Sequence, residues 1–284
     1  MASKFHADYS KILSWDEGRE NAPSVDEPFV SVFASGEKQL HYIAAKHGGD
    51  IDSPTLKTVK QEFDAFKPDV VIIEGAPNTG EKSPAWYLEY AREMEKSKFA
   101  GGGEGTYAAV LAADCKIDFV PGEPTARELL EGMRAQGFTT QDLLGWHVAG
   151  MIKSRFADGS IDDANADARI ERTAQNRINE FGLKDVTFKA DDFRRWYRDR
   201  MGKDFSLAGA AADDGAPSSR ADANFMQKIM AAADKVREPH IVQVIEEQLS
   251  QHDKVLVVYG SGHAIKQEPA LESMLGKPKH LKMF

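Results

Sequence analysis

The chain has 284 residues, enough for one large core or for a core carrying a substantial insertion. Hydrophobic residues make up 42% and charged residues 29%, which excludes a disordered chain. With 36 basic against 45 acidic residues, a net of −9, it has no general footprint for nucleic acid or for an anionic membrane. The basic stretch Arg194, Arg195, Arg198 and Arg200 is interleaved with Asp191, Asp192 and Asp199 and reads as a solvated helix face. The lone Cys115 allows no intrachain disulfide and fits a reducing compartment, so a cytoplasmic location is expected. Met1 to Asp16 lacks the apolar core of a signal peptide, and no apolar run approaches the ~20 residues of a membrane span.

Residues 1–27 show no clear periodicity and are expected to form an arm. Pro28–Ser35 (PFVSVFAS) and Gln39–His47 (QLHYIAAKH), split by Gly36-Glu37-Lys38, read as a hairpin. Ser53-Pro54 opens a helix to about Phe66, with Leu56, Val59, Phe63 and Phe66 at helical spacing. Asp69–Gly75 (DVVIIEG) has four consecutive Val and Ile residues, as in parallel strands covered on both faces. Helices are expected around Pro84–Lys96 and, after the glycines 101–103, over Glu104–Cys115; Ile117–Val120 is the next strand. The region from Thr125 to Lys203 reads as helical, and 204–221 as a long loop of the kind used as a lid. Asp222–Val236 is helical, Pro239 is expected to start a separate helix over His240–Gln251, and Lys254–Tyr259 (KVLVVY) is the last buried strand. Gly260-Ser261-Gly262-His263 then reads as a loop before a closing helix from Glu268. Together these predict an α/β fold: a central mixed, mostly parallel sheet flanked by helices, in one domain over 28–284 with a helical insertion or cap at about 125–235.

Three polar side chains follow apolar strands: His47, Glu74 and His263. In open α/β sheets the crevice lies beyond the carboxyl ends of the strands, so the three are expected to converge there. Taken singly, each is as readily a cap or a surface group. Glu74 weighs most, because a carboxylate after four buried apolar residues is costly to bury unpaired. The glycines around Ser261 allow a tight turn, but the residue two after the serine is His263 and not the glycine a nucleophile elbow requires, so Ser261 is not read as a nucleophile. Arg237 and His240 form a second pair; a helix starting at Pro239 puts His240 in a first turn, where neutral imidazole is favoured. Glu104 and Tyr107 share a helix face, and Glu123 is a further strand-end carboxylate.

These residues resemble a known group, the TraB/TIKI and erythromycin esterase/ChaN superfamily. Its marks are two Gly-x-x-His motifs, one near each end, and a glutamate closing the strand after the first. Here the second motif is Gly260–His263, continued by Ala264–Leu271, while the first is Ala44-Ala45-Lys46-His47, with Ala in place of Gly. Lys67–Glu74 is similar to the family's strand and glutamate, and Arg237-Glu238-Pro239-His240 to a segment seen in some members. The resemblance spans about residues 40–125 and 235–276. It implies an α/β core of two similar halves and a site holding His47, Glu74, His240 and His263, with Arg237 and Glu104 nearby. Members include metal-dependent peptidases, ester hydrolases and a haem binder, so the fold alone does not choose among them.

The expectation is a hydrolase of an ester or amide bond in a small-molecule or peptide substrate. Either a divalent metal held by His47, Glu74 and His263 assists attack by water, or His47 or His263 acts as general base with Glu74 orienting it. Arg237 would stabilise an oxyanion or clamp a carboxylate, and 204–221 would cover the site. The alternatives are non-covalent haem binding, with Tyr107 or a His as axial ligand, and an inactive scaffold, for which Ala44 speaks.

Overall fold

The computed structural model describes residues 5–78, 85–99, 102–213 and 215–282; the expected helix start at Pro84 and the loop glycine Gly101 lie outside them. The chain divides into two units, Met1–Thr125 with Arg237–Phe284, and Ala126–Val236.

The first unit is built on a six-stranded sheet. A 3-10 turn (Tyr9–Lys11) and α1 (Trp15–Glu20) precede β1 (Phe29–Ser35) and β2 (Lys38–Ala45), which pair as the expected antiparallel hairpin. Then follow α2 (Pro54–Phe66), β3 (Val70–Ile73), α3 (Ala85–Lys96), α4 (Gly103–Cys115) and β4 (Asp118–Pro121). The Ser53 hydroxyl accepts from the Leu56 N–H at 3.3 Å, so α2 starts where the Ser-Pro signal placed it. After the second unit the chain returns through α10 (Phe225–Gln251), β5 (Lys254–Gly260), α11 (Ser261–Leu275) and β6 (Lys279–Lys282). Strand order is β4-β3-β5-β2-β1-β6, with β4, β3, β5 and β2 mutually parallel and the other two pairings antiparallel.

Both sheet faces are covered, as the uninterrupted apolar runs require. Val71, Ile73, Leu256 and Val258 pack with Leu56, Val59, Phe63 and Ala108 of α2 and α4. The alternate residues Val70, Ile72, Val255 and Val257 pack with Ile241, Ile245 and Leu271 of α10 and α11. Because β2, β3, β4 and β5 run in one direction, all four of their carboxyl ends reach the same edge. The chain passes from β2 beyond the place of β5 to β3, and β5 later fills the gap, which is the arrangement that opens a crevice at that edge.

The second unit contains α5 (Ala126–Ala135), α6 (Thr140–Ala157), α7 (Ala166–Glu180), α8 (Ala190–Met201), α9 (Leu207–Ala212) and the first turns of α10. Its own core joins Leu143, Val148, Ile170, Phe193, Tyr197 and Ile229. Asp142 closes a capping box with Thr139 and also accepts from Trp196 Nε1 at 3.0 Å and Arg200 Nε at 2.7 Å.

Four expectations change. Residues 5–27, expected as an arm without periodicity, carry regular structure: Ala7 is buried, a Ser14–Glu17 capping box starts α1, and the Leu13 N–H donates to Lys266 O at 2.9 Å. The stretch 204–221 is not all loop, since α9 lies within it. Pro239 does not begin a helix but sits inside α10, and Gly260–His263 is not a loop, because α11 starts at Ser261 directly after β5. In both places tertiary burial overrides the local breaker: Ile241, Val242 and Ile245 beyond Pro239 are fully buried. No described helix is long and apolar enough to cross a membrane.

Candidate functional site

The end of each parallel strand delivers one polar side chain. Ala45 pairs with Gly260, so β2 and β5 finish side by side, and His47 lies two residues on. A Cβ at Gly260 would stand 2.5 Å from His47 Nε2 and 2.8 Å from its Cε1, so the imidazole lies directly over that backbone. Glu74 extends β3 by one pairing, its N–H donating to Val258 O at 3.1 Å. Glu74 Oε2 in turn accepts from the Gly260 N–H at 2.8 Å. Glu104 sits in the first turn of α4, where a carboxylate complements the helix dipole, and its Oε1 is 2.5 Å from His47 Nδ1. A Cβ at Gly105 would stand 2.4 Å from the Glu74 carbonyl oxygen. Only glycine lets α4 approach that closely and bring Glu104 to the strand end.

Glu74 is pinned from behind. Its Oε1 lies 3.4 Å from His263 Nε2 and 3.6 Å from Arg237, whose guanidinium also grips Glu123 with two bonds of 2.6 and 2.7 Å. His263 Nδ1 meets Glu238 Oε1 at 2.8 Å, and Glu238 takes two further donors, Lys266 Nζ at 2.5 Å and Gln267 Nε2 at 2.6 Å. Burial would raise Glu74, but the hydrogen bond and charge of His263, the Gly260 N–H and Arg237 outweigh it and hold the carboxyl at about 2. Burial would lower His263, but the charge and hydrogen bond of Glu238, joined by Glu74, hold it at about 9. The pairing of Glu74 thus stabilises the fold above the ordinary carboxylate range and is lost as pH falls toward 2. That of His263 is present below the ordinary imidazole range and is lost as pH rises through about 9. His47 is raised as well, first by its hydrogen bond to Glu104 and against partial burial.

A cleft of about 470 Å³ opens here, walled by His47, Glu74 and Glu104, by Tyr87 and Tyr90 of α3, and by glycines 48, 49, 75, 102, 103 and 105. One ligand atom from each of His47, Glu74 and Glu104 lies within 4.8 Å of the others. His47 and Glu74 therefore meet, as expected from the strand ends. His263 touches Glu74 but is not the third converging donor: both ring nitrogens face carboxylates, and Glu104 takes the place assigned to it. Arg237 is likewise engaged by Glu123 and is not a wall of the cleft. His240, mid-helix rather than in a first turn, has a buried Nε2 without a partner among the described residues and is also not a wall. Tyr107 faces a separate groove with Lys57, Lys60 and Asp64 and edges onto Phe99, 4.8 Å between ring centroids. Sequence reading gave Glu238 no role. Its donors fall at 263, 266 and 267, an i, i+3, i+4 pattern that becomes visible only once α11 is known to begin at Ser261.

No family model, curated protein or solved structure matches this chain. The geometry stands by itself and can be perturbed directly. Gly260→Ala should push the His47 imidazole aside, since the new methyl collides with a side-chain end and not with backbone. A shift of about 1 Å at a reacting group costs on the order of 100-fold in rate. Thermal unfolding should therefore show a folded protein, and, if His47 takes part in a reaction, turnover should fall on that scale; unchanged turnover would remove His47 from any chemistry.

Proposed function

We propose that the chain is a hydrolase of an ester or amide bond, in which His47 takes the proton of the attacking water. The observation that carries this reading is an exposed imidazole, 65% accessible in its side chain, backed by a buried carboxylate, Glu104 at 7%, beside a second carboxylate held in place from behind. Glu104 fixes the ring through Nδ1 and stabilises the imidazolium formed when Nε2 accepts a proton. Glu74, held by the Gly260 N–H and the Arg237 and His263 side chains, orients the water. Gly103, Glu104 and Gly105, in the first turn of α4, line the cleft, and their N–H groups would face the oxyanion. The proton then passes from His47 to the leaving oxygen or nitrogen.

A second reading rests on the same three side chains. One imidazole and two carboxylates within 4.8 Å are a donor set suited to a divalent cation. His47, Glu74 and Glu104 would hold it, and when bound it would supply Lewis acidity to the scissile carbonyl. The resemblance to the TraB/TIKI and erythromycin esterase/ChaN superfamily supports hydrolysis by either route, and the lone cysteine goes with action in the cytoplasm. Haem ligation is not favoured by Tyr107, which faces another groove.

The test is a panel of uncharged esters and amides offered to chelator-treated protein, with and without added Mn²⁺ or Zn²⁺. Turnover that survives chelation selects the His47 route. Turnover that needs the added ion selects the cation route, and no turnover in either arm rejects the hydrolase.

A further inference from the structure

We infer that the substrate carries an uncharged aromatic or large apolar group next to the scissile bond, and that Trp86 and Tyr90 bind it. This rests on the hydrolase reading and goes on to name the substrate class. Among the described residues, four large hydrophobic side chains are exposed, and two of them, Trp86 at 45% and Tyr90 at 46%, lie on α3. Their spacing of four puts them on one helix face. Between them Tyr87, buried at 5%, meets the Trp86 ring edge-on at 5.8 Å and the Tyr90 ring at 6.1 Å. The three rings make one continuous strip, and its inner end, Tyr87 and Tyr90, is a wall of the cleft that holds His47, Glu74 and Glu104.

Two features choose the occupant. The cleft, about 470 Å³, falls in the size range of small-molecule sites, roughly 300–1,000 Å³. Among the described residues, the walls carry one imidazole, His47, and two carboxylates, Glu74 and Glu104, and no Lys or Arg. An anionic group beside the reacting bond would meet two carboxylates, while Arg237 and His263 lie behind Glu74 and not among the described walls. An uncharged ring gains instead the burial and edge or stacked contacts that aromatic walls offer. The reaction balances with water alone: its oxygen bonds to the carbonyl carbon, the C–O or C–N bond breaks, and the leaving atom receives the proton that His47 removed.

The test reads binding without turnover. Benzylacetone, a ketone with no bond to hydrolyse, is compared with acetone and with the anion hydrocinnamate by saturation-transfer NMR and titration. Benzylacetone should bind at least about tenfold more tightly than either, and Trp86→Ala and Tyr90→Ala should each weaken it several-fold. Both positions are exposed, so these variants are expected to stay folded. His47→Ala should keep the binding, which separates the ring subsite from the chemistry. If benzylacetone binds this way while no ester or amide turns over, the hydrolase reading fails and the ring subsite remains. Equal or absent binding of the three probes, or binding unchanged in both aromatic variants, overturns the inference. So does concentration-dependent dimerisation abolished by Trp86→Ala, which would make the strip an interface between two copies.

Discussion

His47→Ala should reduce hydrolysis about 100- to 10,000-fold, the range contributed by a positioned general base. It should leave the unfolding free energy within about 0.5 kcal/mol of the parent. The two expectations separate because His47 is held by chemistry and not by packing. Its side chain is 65% exposed, and among the described residues it is hydrogen-bonded to Glu104. On the cation route the same change removes the one nitrogen ligand, so the loss is expected there as well. Steady-state kinetics and denaturant unfolding on one preparation check both halves. A large stability loss with little rate loss would make His47 a structural residue.

Glu238→Ala should do the reverse and cost about 3–5 kcal/mol of stability, the range for removing one partner of a buried ion pair. The Glu238 carboxylate is buried and accepts from His263, Lys266 and Gln267, while Lys266 is itself only 2% exposed. Removing it takes away the buried carboxylate that the His263 imidazolium and the Lys266 ammonium share, and leaves His263 with the longer contact to Glu74 at 3.4 Å. The sign with pH follows from His263, whose proton is held up to about 9 by Glu238. Its share of the stability is whole below the ordinary imidazole range and disappears as pH rises through about 9, so the deficit of the variant should narrow over that interval. Urea midpoints at neutral and alkaline pH measure this. A deficit below about 1 kcal/mol would mean that the network is well solvated, against its burial. Glu238→Gln, which keeps the shape, should fall between the two.

Much of the architecture was legible because the parallel strands are short apolar runs between breakers. Val70–Ile73 and Lys254–Gly260 could be little else, and a sheet that aligns them must bring Glu74 and His47 to one edge. What could not be read was pairing across distance. His47 and Glu104 are 57 positions apart, and nothing local marks one as the partner of the other. The glycines around Ser261 resembled a loop, yet they serve contact: the Gly260 backbone lies against His47 and Gly262 against Trp15, while the helix runs on from Ser261. Reading a loop there left His263 free to face the cleft. As a first-turn residue of α11 it turns instead to Glu238 and Glu74, and the third converging donor comes from α4. Pro239 misled in the same way, since burial of the residues after it outweighs one missing backbone donor.

The most direct measurement is a double-mutant cycle on the rate of hydrolysis, comparing His47→Ala, Glu104→Gln and the two combined. Groups that act as a unit are strongly non-additive, so the double variant should be no slower than the worse single one. Losses that simply multiply would show that imidazole and carboxylate work independently, and the reacting centre described here would not exist.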